Sequence, residues 1–203
     1  MKLICIGRNY FKHAIEMNEE VPEKPIFFMK PETSLFNAEN PFFYPDFSKK
    51  IEFECELVIK IDRVGKNIKE KFAHKYYSEI GLGIDFTARD LQTKCKKNSH
   101  PWEISKSFDN SAPISKEFIN KEKLNLDNIS FQLNKNGKTV QKGNSSEMIF
   151  KIDSLISYIS KFITLKKGDL IFTGTPEGVG PIKIGDQLTG LIENKVMFNL
   201  KIK

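Results

Sequence analysis

The amino-acid sequence predicts a mixed α/β fold that is rich in β-strands. Apolar and acidic residues alternate at the start of the segment 51–61, whose apolar and β-branched content is typical of a strand. Asn136-Gly137 is the strongest short signal for a hairpin, here between 129 and 141. Apolar residues recur at helical spacing through 152–163 and predict an amphipathic helix. Strands therefore dominate, and a few helices pack against them.

Composition indicates one folded domain. The chain has 203 residues, 39% of them hydrophobic, including 17 Phe, which is enough for a sizeable core. No apolar run has the length of a membrane span or of a signal-peptide core, so we expect a cytoplasmic protein with no membrane partner. The three cysteines are widely spaced and predict neither a disulfide framework nor a zinc site.

The positive charge does not indicate a nucleic-acid partner. The net charge is +6, but only three of the 32 basic residues are arginines, namely Arg8, Arg63 and Arg89. Nucleic-acid readers rely on arginine for bidentate contacts and stacking. The lysines are dispersed along the chain, which is typical of a solvated surface. We therefore expect no nucleic-acid binding.

The rest of the chain can be divided into short elements. Prolines are dense in 21–45, which predicts loops and an edge strand around 24–31. Further strands are predicted at 2–6, 81–86 and 170–172, and a C-terminal hairpin turns at Asn194-Lys195. Helices are predicted after Asn9, over 68–80, and from Thr87 to about Lys97, with Asn9 and Thr87 as N-caps. A glycine-rich loop at 173–180 can approach a ligand closely.

Three glutamates pose the main electrostatic problem of the sequence. Glu52, Glu54 and Glu56 lie two residues apart, so one face of a strand carries all three at spacings of roughly 6.5 to 7 Å. A hard divalent cation such as Mg²⁺ or Mn²⁺ takes oxygen ligands and would relieve their repulsion. A solvated acidic face is the alternative from this stretch alone. Asp85 lies in a second apolar strand, where an aspartate needs a partner, and the same cation could supply it.

Several other polar residues are candidates for a site. Arg89 and Gln92 lie three apart near a predicted helix start, where an anionic substrate would be stabilised. His13 and Glu16 are also three apart, as in a histidine base oriented by a carboxylate, although an exposed surface pair is the alternative. Lys106 follows the only tryptophan and could present its charge to a carboxylate or an enolate, although without further context a surface lysine is the favoured interpretation.

Together these motifs resemble the fumarylacetoacetate hydrolase family, in particular its short branch of acylpyruvate hydrolases and oxaloacetate decarboxylases. The resemblance covers nearly the whole chain. It rests on Gly-Arg-Asn-Tyr at 7–10 with His13 and Glu16, the two Lys-Pro pairs in 24–31, Glu-Cys-Glu-Leu at 54–57, Asp-Phe-Thr-Ala-Arg-Asp at 85–90, the segment 102–108, and Gly-Asp-Leu-Ile-Phe-Thr-Gly-Thr-Pro-Glu-Gly-Val-Gly at 168–180. The sequence departs from the family after the metal strand, where Lys60-Ile61-Asp62 replaces a frequent Ile-Gly.

The resemblance assigns roles to individual residues. It implies that Glu54, Glu56 and Asp85 bind Mg²⁺ or Mn²⁺, which leaves Glu52 outside the ligand set. The catalytic residues that it implies are His13 and Glu16, as a dyad on a lid, and Lys106. The substrate-binding residues that it implies are Arg8, Tyr10, Arg89, Gln92 and Thr175.

The resemblance also implies a fold, a reaction and an assembly. The fold is a β-roll with a few peripheral helices, as one domain over 1–203 with an N-terminal arm and lid at 1–45 and a metal-binding roll at 46–203. The reaction is metal-dependent cleavage of the C–C bond of acylpyruvates, such as acetylpyruvate or fumarylpyruvate, to pyruvate and a carboxylic acid. Oxaloacetate decarboxylation and isomerisation of 2-hydroxyhepta-2,4-diene-1,7-dioate are alternatives on the same scaffold, and a non-catalytic basic binding module is the alternative of another class. The partners implied are a small 2-oxo acid and a second copy of the chain in a homodimer.

Overall fold

A computed structural model describes residues 1–203 and contains fifteen strands and five α-helices. The strands are, in chain order, β1 (Leu3–Gly7), β2 (Ile26–Lys30), β3 (Leu35–Asn37), β4 (Ile51–Phe53), β5 (Cys55–Ile61), β6 (Tyr77–Ile84), β7 (Thr87–Ala88), β8 (Ala112–Ile114), β9 (Ile119–Asn120), β10 (Ser130–Lys135), β11 (Lys138–Asn144), β12 (Leu170–Phe172), β13 (Gly180–Pro181), β14 (Gln187–Ile192) and β15 (Lys195–Lys201). The helices are α1 (Phe11–Glu16), α2 (Glu70–Ala73), α3 (Arg89–Lys97), α4 (Glu103–Lys106) and α5 (Ile152–Phe162). The predicted mixed α/β, strand-rich fold is confirmed.

The strands form three sheets. The largest has the order β2-β1-β12-β5-β6-β8-β3, and β9 pairs with β6 beside this path. Within it β1 runs parallel to β12 and β3 runs parallel to β8, whereas its other pairs are antiparallel. A four-stranded sheet has the order β11-β10-β14-β15, and a small sheet has the order β13-β4-β7.

The segment 51–61 is two strands and not the single strand that the sequence predicts. The break falls at Glu54, between β4 and β5. β4 pairs with β7 and β13 in the small sheet, whereas β5 pairs with β6 and β12 in the large sheet. Every residue of 51–59 is buried, so neither face of this segment is open to solvent. The acidic side chains therefore lie at a junction between two sheets.

Both predicted hairpins form. β10 and β11 turn at Asn136 and Gly137, whose φ angles of 52° and 80° are the positive values that a type I′ turn requires. The C-terminal hairpin of β14 and β15 turns one residue earlier than predicted, because Glu193 adopts a positive φ of 51° and β15 begins at Lys195.

One predicted helix is confirmed and one is wrong. α5 buries Ile152, Leu155, Ile156 and Ile159, as the helical spacing predicts. In contrast, the helix predicted over 68–80 is only the single turn α2, and β6 begins at Tyr77. β6 pairs along the whole of β5 and takes up residues 77–80 of this segment, and that pairing outweighs a local spacing that fits a helix.

Two predicted helix caps are also wrong. The side chain of Asn9 does not cap α1: it donates to the carbonyls of Phe150 (3.0 Å) and Thr173 (2.8 Å) and accepts from the Phe150 amide. α3 begins at Arg89 without a side-chain cap, and Thr87 lies in β7. In both cases the polar side chain bonds to residues distant in the sequence, and the Thr87 hydroxyl also donates to the Asp85 carbonyl at 3.3 Å.

The N-terminal segment is part of the large sheet. β1 lies between β2 and β12, and β2 is the edge strand that the prolines predict. One hydrophobic cluster of 36 buried residues includes Ile4 and Phe42 from 1–45 as well as Phe198 near the C-terminal end. The two segments therefore share a core. None of the helices combines the length and the hydrophobicity needed to span a membrane.

Candidate active site and metal centre

Three carboxylates converge where the two sheets meet. Glu54 lies at the break between β4 and β5, Glu56 lies in β5, and Asp85 directly follows β6. The backbone N–H of Asp85 donates to the Glu54 carbonyl at 2.8 Å, which holds the two residues side by side. Candidate ligand atoms of all three carboxylates lie within 4.8 Å of one another, and all three residues are buried. The structure thus brings together the three residues that the resemblance assigns to a metal.

Buried cations surround this triad. Lys106 Nζ lies 2.7 Å from Glu54 Oε2, 2.7 Å from Asp85 Oδ2 and 2.6 Å from the Thr87 hydroxyl. Arg89 donates to Glu54 Oε1 and to Glu52 Oε2, both at 2.6 Å. Glu52 therefore binds Arg89 and lies outside the triad, as the resemblance implies.

The predicted polar residues of α3 act as a pair. Arg89 Nη1 donates to Gln92 Oε1 at 2.6 Å, and both side chains are buried. The guanidinium thus contacts two glutamates and one amide, which fixes its plane beside the triad.

A third buried cation, Lys30, was not predicted as a site residue. Its Nζ lies 2.8 Å from Asp85 Oδ1 and 2.9 Å from the Ser111 hydroxyl, and it also contacts the carbonyls of Phe86, Lys106 and Ser111. The side chain of Lys30 is 0% exposed. The one available signal was its place in a Lys-Pro pair at the end of an apolar strand.

Glu56 is the one carboxylate of the centre without a cationic partner. Ion pairs connect the other three, Glu52, Glu54 and Asp85, with the buried cations Lys30, Arg89 and Lys106 and with the exposed Lys50. Burial would raise the pKa of Glu54, but Lys106 and Arg89 lower it below the usual value. The pKa of Glu56 is raised well above its usual value by burial and by the nearby charges of Asp85 and Glu54. Without a cation beside it, Glu56 thus favours its protonated form.

The donor set fits a hard divalent cation. All candidate ligand atoms are carboxylate oxygens, which suit Mg²⁺ or Mn²⁺ and not a soft metal. Glu56 Oε2 accepts from the Gly174 amide at 2.7 Å. Asp85 Oδ1 is close to Lys30 but accepts no well-aligned hydrogen bond. A divalent ion at this place would supply the cationic partner that Glu56 lacks.

A cavity opens beside the triad and collects most of the predicted site residues. Its lining includes Glu54 and Glu56 together with Arg8, His13, Arg89, Gln92, Lys106 and Thr175. Apolar side chains, among them Phe28 and Trp102, complete one wall. The Thr175 hydroxyl donates to the Cys55 carbonyl at 2.9 Å and accepts from Gln141 at 2.8 Å, so it is held in place at the cavity wall.

Tyr10 is the exception among the predicted substrate-binding residues. It does not line the cavity, and only 2% of its surface is exposed. Its ring packs edge-to-face against Phe131 in the core, and burial raises the pKa of its hydroxyl. The structure thus places Tyr10 in the core and not at the cavity, and the substrate contact of Tyr10 stays a prediction. The motif Gly-Arg-Asn-Tyr suggested four neighbouring site residues, but the side chains of Arg8 and Tyr10 diverge.

His13 and Glu16 form the predicted dyad on α1. His13 Nδ1 lies 3.2 Å from Glu16 Oε2, and His13 is only 7% exposed although α1 is otherwise largely exposed. Because the carboxylate is an acceptor, Nδ1 carries the proton and Nε2 is free to accept one. Glu16 also accepts from the Gly178 amide at 3.0 Å, which connects α1 to the glycine-rich loop.

That loop requires glycine at position 174. Gly174 has a φ of 96°, and a Cβ atom there would lie 2.7 Å from the Cβ of Asn9. The close approach directs the Gly174 amide to Glu56. The glycine-rich loop thus orients a residue of the acidic triad.

The fold and the site together define a strand-rich α/β protein with a buried acidic centre beside a cavity. The family description "Fumarylacetoacetate (FAA) hydrolase C-terminal" matches residues 2–199. The chain belongs to the fumarylacetoacetate hydrolase family.

Individual relatives agree with this assignment. Oxaloacetate tautomerase YcgM of Escherichia coli is 43% identical over 190 residues, which cover 93% of this chain and 86% of that protein. Mitochondrial oxaloacetate tautomerase FAHD1 of Mus musculus is 41% identical over 202 residues, which cover 99% and 91%. The crystal structure of fumarylpyruvate hydrolase from Pseudomonas aeruginosa in complex with Mn²⁺ and pyruvate superposes with a TM-score of 0.94 at 32% identity, covering 100% of this chain and 89% of that one.

Proposed function

We propose that this protein is a metal-dependent hydrolase of acylpyruvates, which it cleaves to pyruvate and a carboxylic acid. The observation that carries the proposal is the presence of a buried three-carboxylate centre and a histidine–glutamate dyad in one region: Glu54, Glu56 and His13 line the same cavity, and Asp85 completes the triad.

Glu54, Glu56 and Asp85 would hold Mg²⁺ or Mn²⁺. When bound, such an ion supplies positive charge next to the 1-carboxylate and 2-oxo oxygens of a 2-oxo acid. A Mn²⁺ complex of a fumarylpyruvate hydrolase with a closely similar fold supports a divalent ion in this family.

Cationic side chains would bind and polarise the substrate. Burial would lower the pKa of Lys106, but Asp85 and Glu54 raise it above its usual value, so the side chain stays an ammonium. With Arg89, it presents positive charge to the oxygens of the substrate. Gln92 and Thr175 add neutral hydrogen-bonding groups at the cavity wall.

The dyad would activate water. His13 Nε2 accepts a proton from the water, while Glu16 holds Nδ1–H and stabilises the imidazolium. The resulting hydroxide attacks the distal carbonyl carbon of the acylpyruvate. The bond between that carbon and the methylene then breaks, and the electron pair stays on the pyruvate part as an enolate. The imidazolium of His13 then gives its proton to that methylene carbon, which yields pyruvate and restores the neutral base.

Oxaloacetate is a second candidate substrate, favoured by the names of the relatives. Both the Escherichia coli and the mouse relative are named oxaloacetate tautomerases. Tautomerisation and decarboxylation of oxaloacetate pass through the same kind of enolate and need no attacking water. For tautomerisation, His13 Nε2 would take the proton from the methylene carbon instead of from water and return it to the 2-oxo oxygen, which gives the enol.

A substrate panel tests the proposal. Purified protein would be assayed with Mg²⁺ or Mn²⁺ on acetylpyruvate, fumarylpyruvate and oxaloacetate, following kcat/KM for each and both tautomerisation and decarboxylation for the last. We expect metal-dependent pyruvate release from an acylpyruvate that is lost with a chelator and with Asp85→Asn. Turnover of oxaloacetate alone would replace the hydrolase assignment with the second candidate. The homodimer implied by the family resemblance stays a prediction.

A further inference from the structure

A charged cluster at the cavity has no part in the reaction steps above. Glu19, which follows α1, forms ion pairs with Arg8 and with Lys96 of α3, and its carboxylate oxygen lies 2.5 Å from Lys96 Nζ. All three residues line the same cavity as Glu54 and Glu56. Their side chains are only partly exposed, at 25% for Arg8, 21% for Glu19 and 31% for Lys96.

Contacts other than Glu19 hold the ammonium of Lys96 and the backbone from which the Arg8 side chain extends. Lys96 Nζ lies 5.7 Å from the ring centroid of Trp102, which also lines the cavity. Arg8 has a φ of 58°, a left-handed conformation that is uncommon for arginine. The next residue, Asn9, is fixed by three hydrogen bonds to Phe150 and Thr173, which keeps this backbone conformation in place.

The arrangement has the chemistry of a carboxylate-binding site. An arginine and a lysine converge on one carboxylate inside a cavity, and the cluster keeps one excess positive charge. A 2-oxo acid with its 1-carboxylate and 2-oxo group at the acidic triad would extend its remaining atoms into the same cavity. A second carboxylate at its far end would find these two cations.

We propose that Arg8 and Lys96 bind the distal carboxylate of a dianionic 2-oxo acid, and that Glu19 occupies this subsite when no such ligand is bound. This inference rests on the proposed function, because the acidic triad must bind the 2-oxo-acid end. The preferred substrates are then diacids, such as oxaloacetate and fumarylpyruvate, and not acylpyruvates with a neutral tail. Glu19 is then a specificity-determining residue, since it competes with the ligand for the same cations.

Two ligands of equal length test the subsite without any turnover. 2-Oxoglutarate and 2-oxopentanoate each have five carbons and the same 2-oxo-acid end, and they differ by a carboxylate against a methyl at the far end. Their dissociation constants would be measured by calorimetry with the Mn²⁺-loaded protein. We expect 2-oxoglutarate to bind about tenfold more tightly, a difference of about 1.4 kcal/mol, because only its far carboxylate can pair with Arg8 and Lys96.

Variants identify the residues responsible. Lys96→Met should remove most of this preference by weakening the binding of 2-oxoglutarate alone. Lys97→Met removes an exposed charge of the same helix and should preserve the preference. Glu19→Gln should strengthen 2-oxoglutarate binding several-fold and leave 2-oxopentanoate unchanged, with Glu20→Gln as the exposed control. Unchanged melting temperatures would verify that the variants are folded.

The outcomes separate the two proposals. The subsite would be overturned, and the proposed function left intact, if the wild-type protein bound both ligands with equal affinity. The same holds if Lys96→Met lowered the affinity for both ligands equally. Weaker 2-oxoglutarate binding in Glu19→Gln would overturn the competing role of Glu19. No binding of either ligand in the presence of Mn²⁺ would contradict the 2-oxo-acid site itself, and with it both proposals.

Discussion

The ammonium group of Lys30 lies 2.8 Å from Oδ1 of Asp85, and neither side chain is more than 2% exposed. This buried pair lies behind the acidic triad and connects Asp85 to the carbonyls of Phe86, Lys106 and Ser111. It therefore fixes both a candidate metal ligand and the end of the helix that carries Lys106. Removing one partner of a buried ion pair leaves the other charge without full compensation.

Lys30→Met should therefore destabilise the metal-free protein by roughly 3 to 5 kcal/mol. The measurement is urea unfolding in the presence of a chelator. In an Asp85→Asn background the same change should cost clearly less, because no buried negative charge is uncovered. Equal costs in the two backgrounds would mean that Lys30 acts only through the carbonyls. Ser111→Ala, which removes one hydroxyl contact, should cost about 1 kcal/mol and serves as the mild variant.

Replacing Glu54, Glu56 or Asp85 by alanine should abolish both activity and Mn²⁺ binding. Each change removes one of the oxygen donors. Loss of a residue that only hydrogen-bonds to a metal ligand costs roughly 10- to 100-fold in metal affinity, so we expect loss of a ligand itself to cost more. Calorimetry with Mn²⁺ measures the affinity, and circular dichroism checks the fold. Glu52→Gln should bind Mn²⁺ within a few-fold of wild type, because Glu52 contacts Arg89 and not the triad. A crystal structure with Mn²⁺ at another place would contradict the assignment.

His13→Ala should affect the candidate reactions unequally. Loss of a general base typically costs about 10²- to 10⁴-fold in rate, so hydrolysis of acylpyruvate should fall by that factor. Decarboxylation of oxaloacetate needs no activated water and should fall far less. Lys106→Ala should damage both, because the enolate is common to them. If His13→Ala slows both reactions equally, the residue positions the substrate or α1 and is not the base.

The segment 9–20 should exchange its amide protons faster without ligand than with oxalate and Mg²⁺. α1 exposes Phe11 and Ile15, and among its main attachments is the contact of Glu16 with the Gly178 amide. Apart from Asn9 and Tyr10 at its start and His13 and Ala14 in α1, the segment has no buried side chain, which permits local opening. Hydrogen exchange followed by mass spectrometry measures the difference, with α5 as an internal reference. Equal protection of 9–20 in the two states would be evidence against a lid.

Asp90→Asn should destabilise the protein at neutral pH by about 1 to 2 kcal/mol. Although partial burial would raise the pKa of Asp90, hydrogen bonds from the Ser48 hydroxyl and the Lys49 and Leu91 amides lower it. The folded state thus favours the ionised carboxylate, so its contribution is present above the unfolded pKa and is lost as the pH falls through the folded value. Urea unfolding at pH 7 and below pH 3 should show the difference between variant and wild type shrink. Asp109→Asn, at an exposed position, is the control.

The sequence predicts those features that depend on a short local pattern. Asn136-Gly137 defines its hairpin because both residues tolerate positive φ, and the spacing of Ile152 to Ile159 defines α5. The triad of Glu54, Glu56 and Asp85 was found through an ordered set of motifs, since two strands and a loop must meet before these residues become neighbours.

Features that depend on distant partners were missed. The segment 68–80 fits a helix locally, but the pairing of β6 with β5 decides its structure. Asn9 and Thr87 resemble helix caps, yet Asn9 bonds to Phe150 and Thr173, and Thr87 accepts from Lys106. Lys30 resembles any other lysine of a lysine-rich chain until the fold encloses it.

The neighbour of β1 in the large sheet has a consequence for how the protein folds during synthesis. β1 ends at Gly7, and the strand parallel to it, β12, covers 170–172. At about 5 to 20 residues per second, a ribosome needs roughly 10 to 30 seconds between these strands. During that interval β1 and β2 can pair only with each other, and a lone hairpin is marginally stable in water. The nascent chain therefore displays an unpaired apolar strand edge, and chaperones that recognise such edges should bind it until Phe172 emerges.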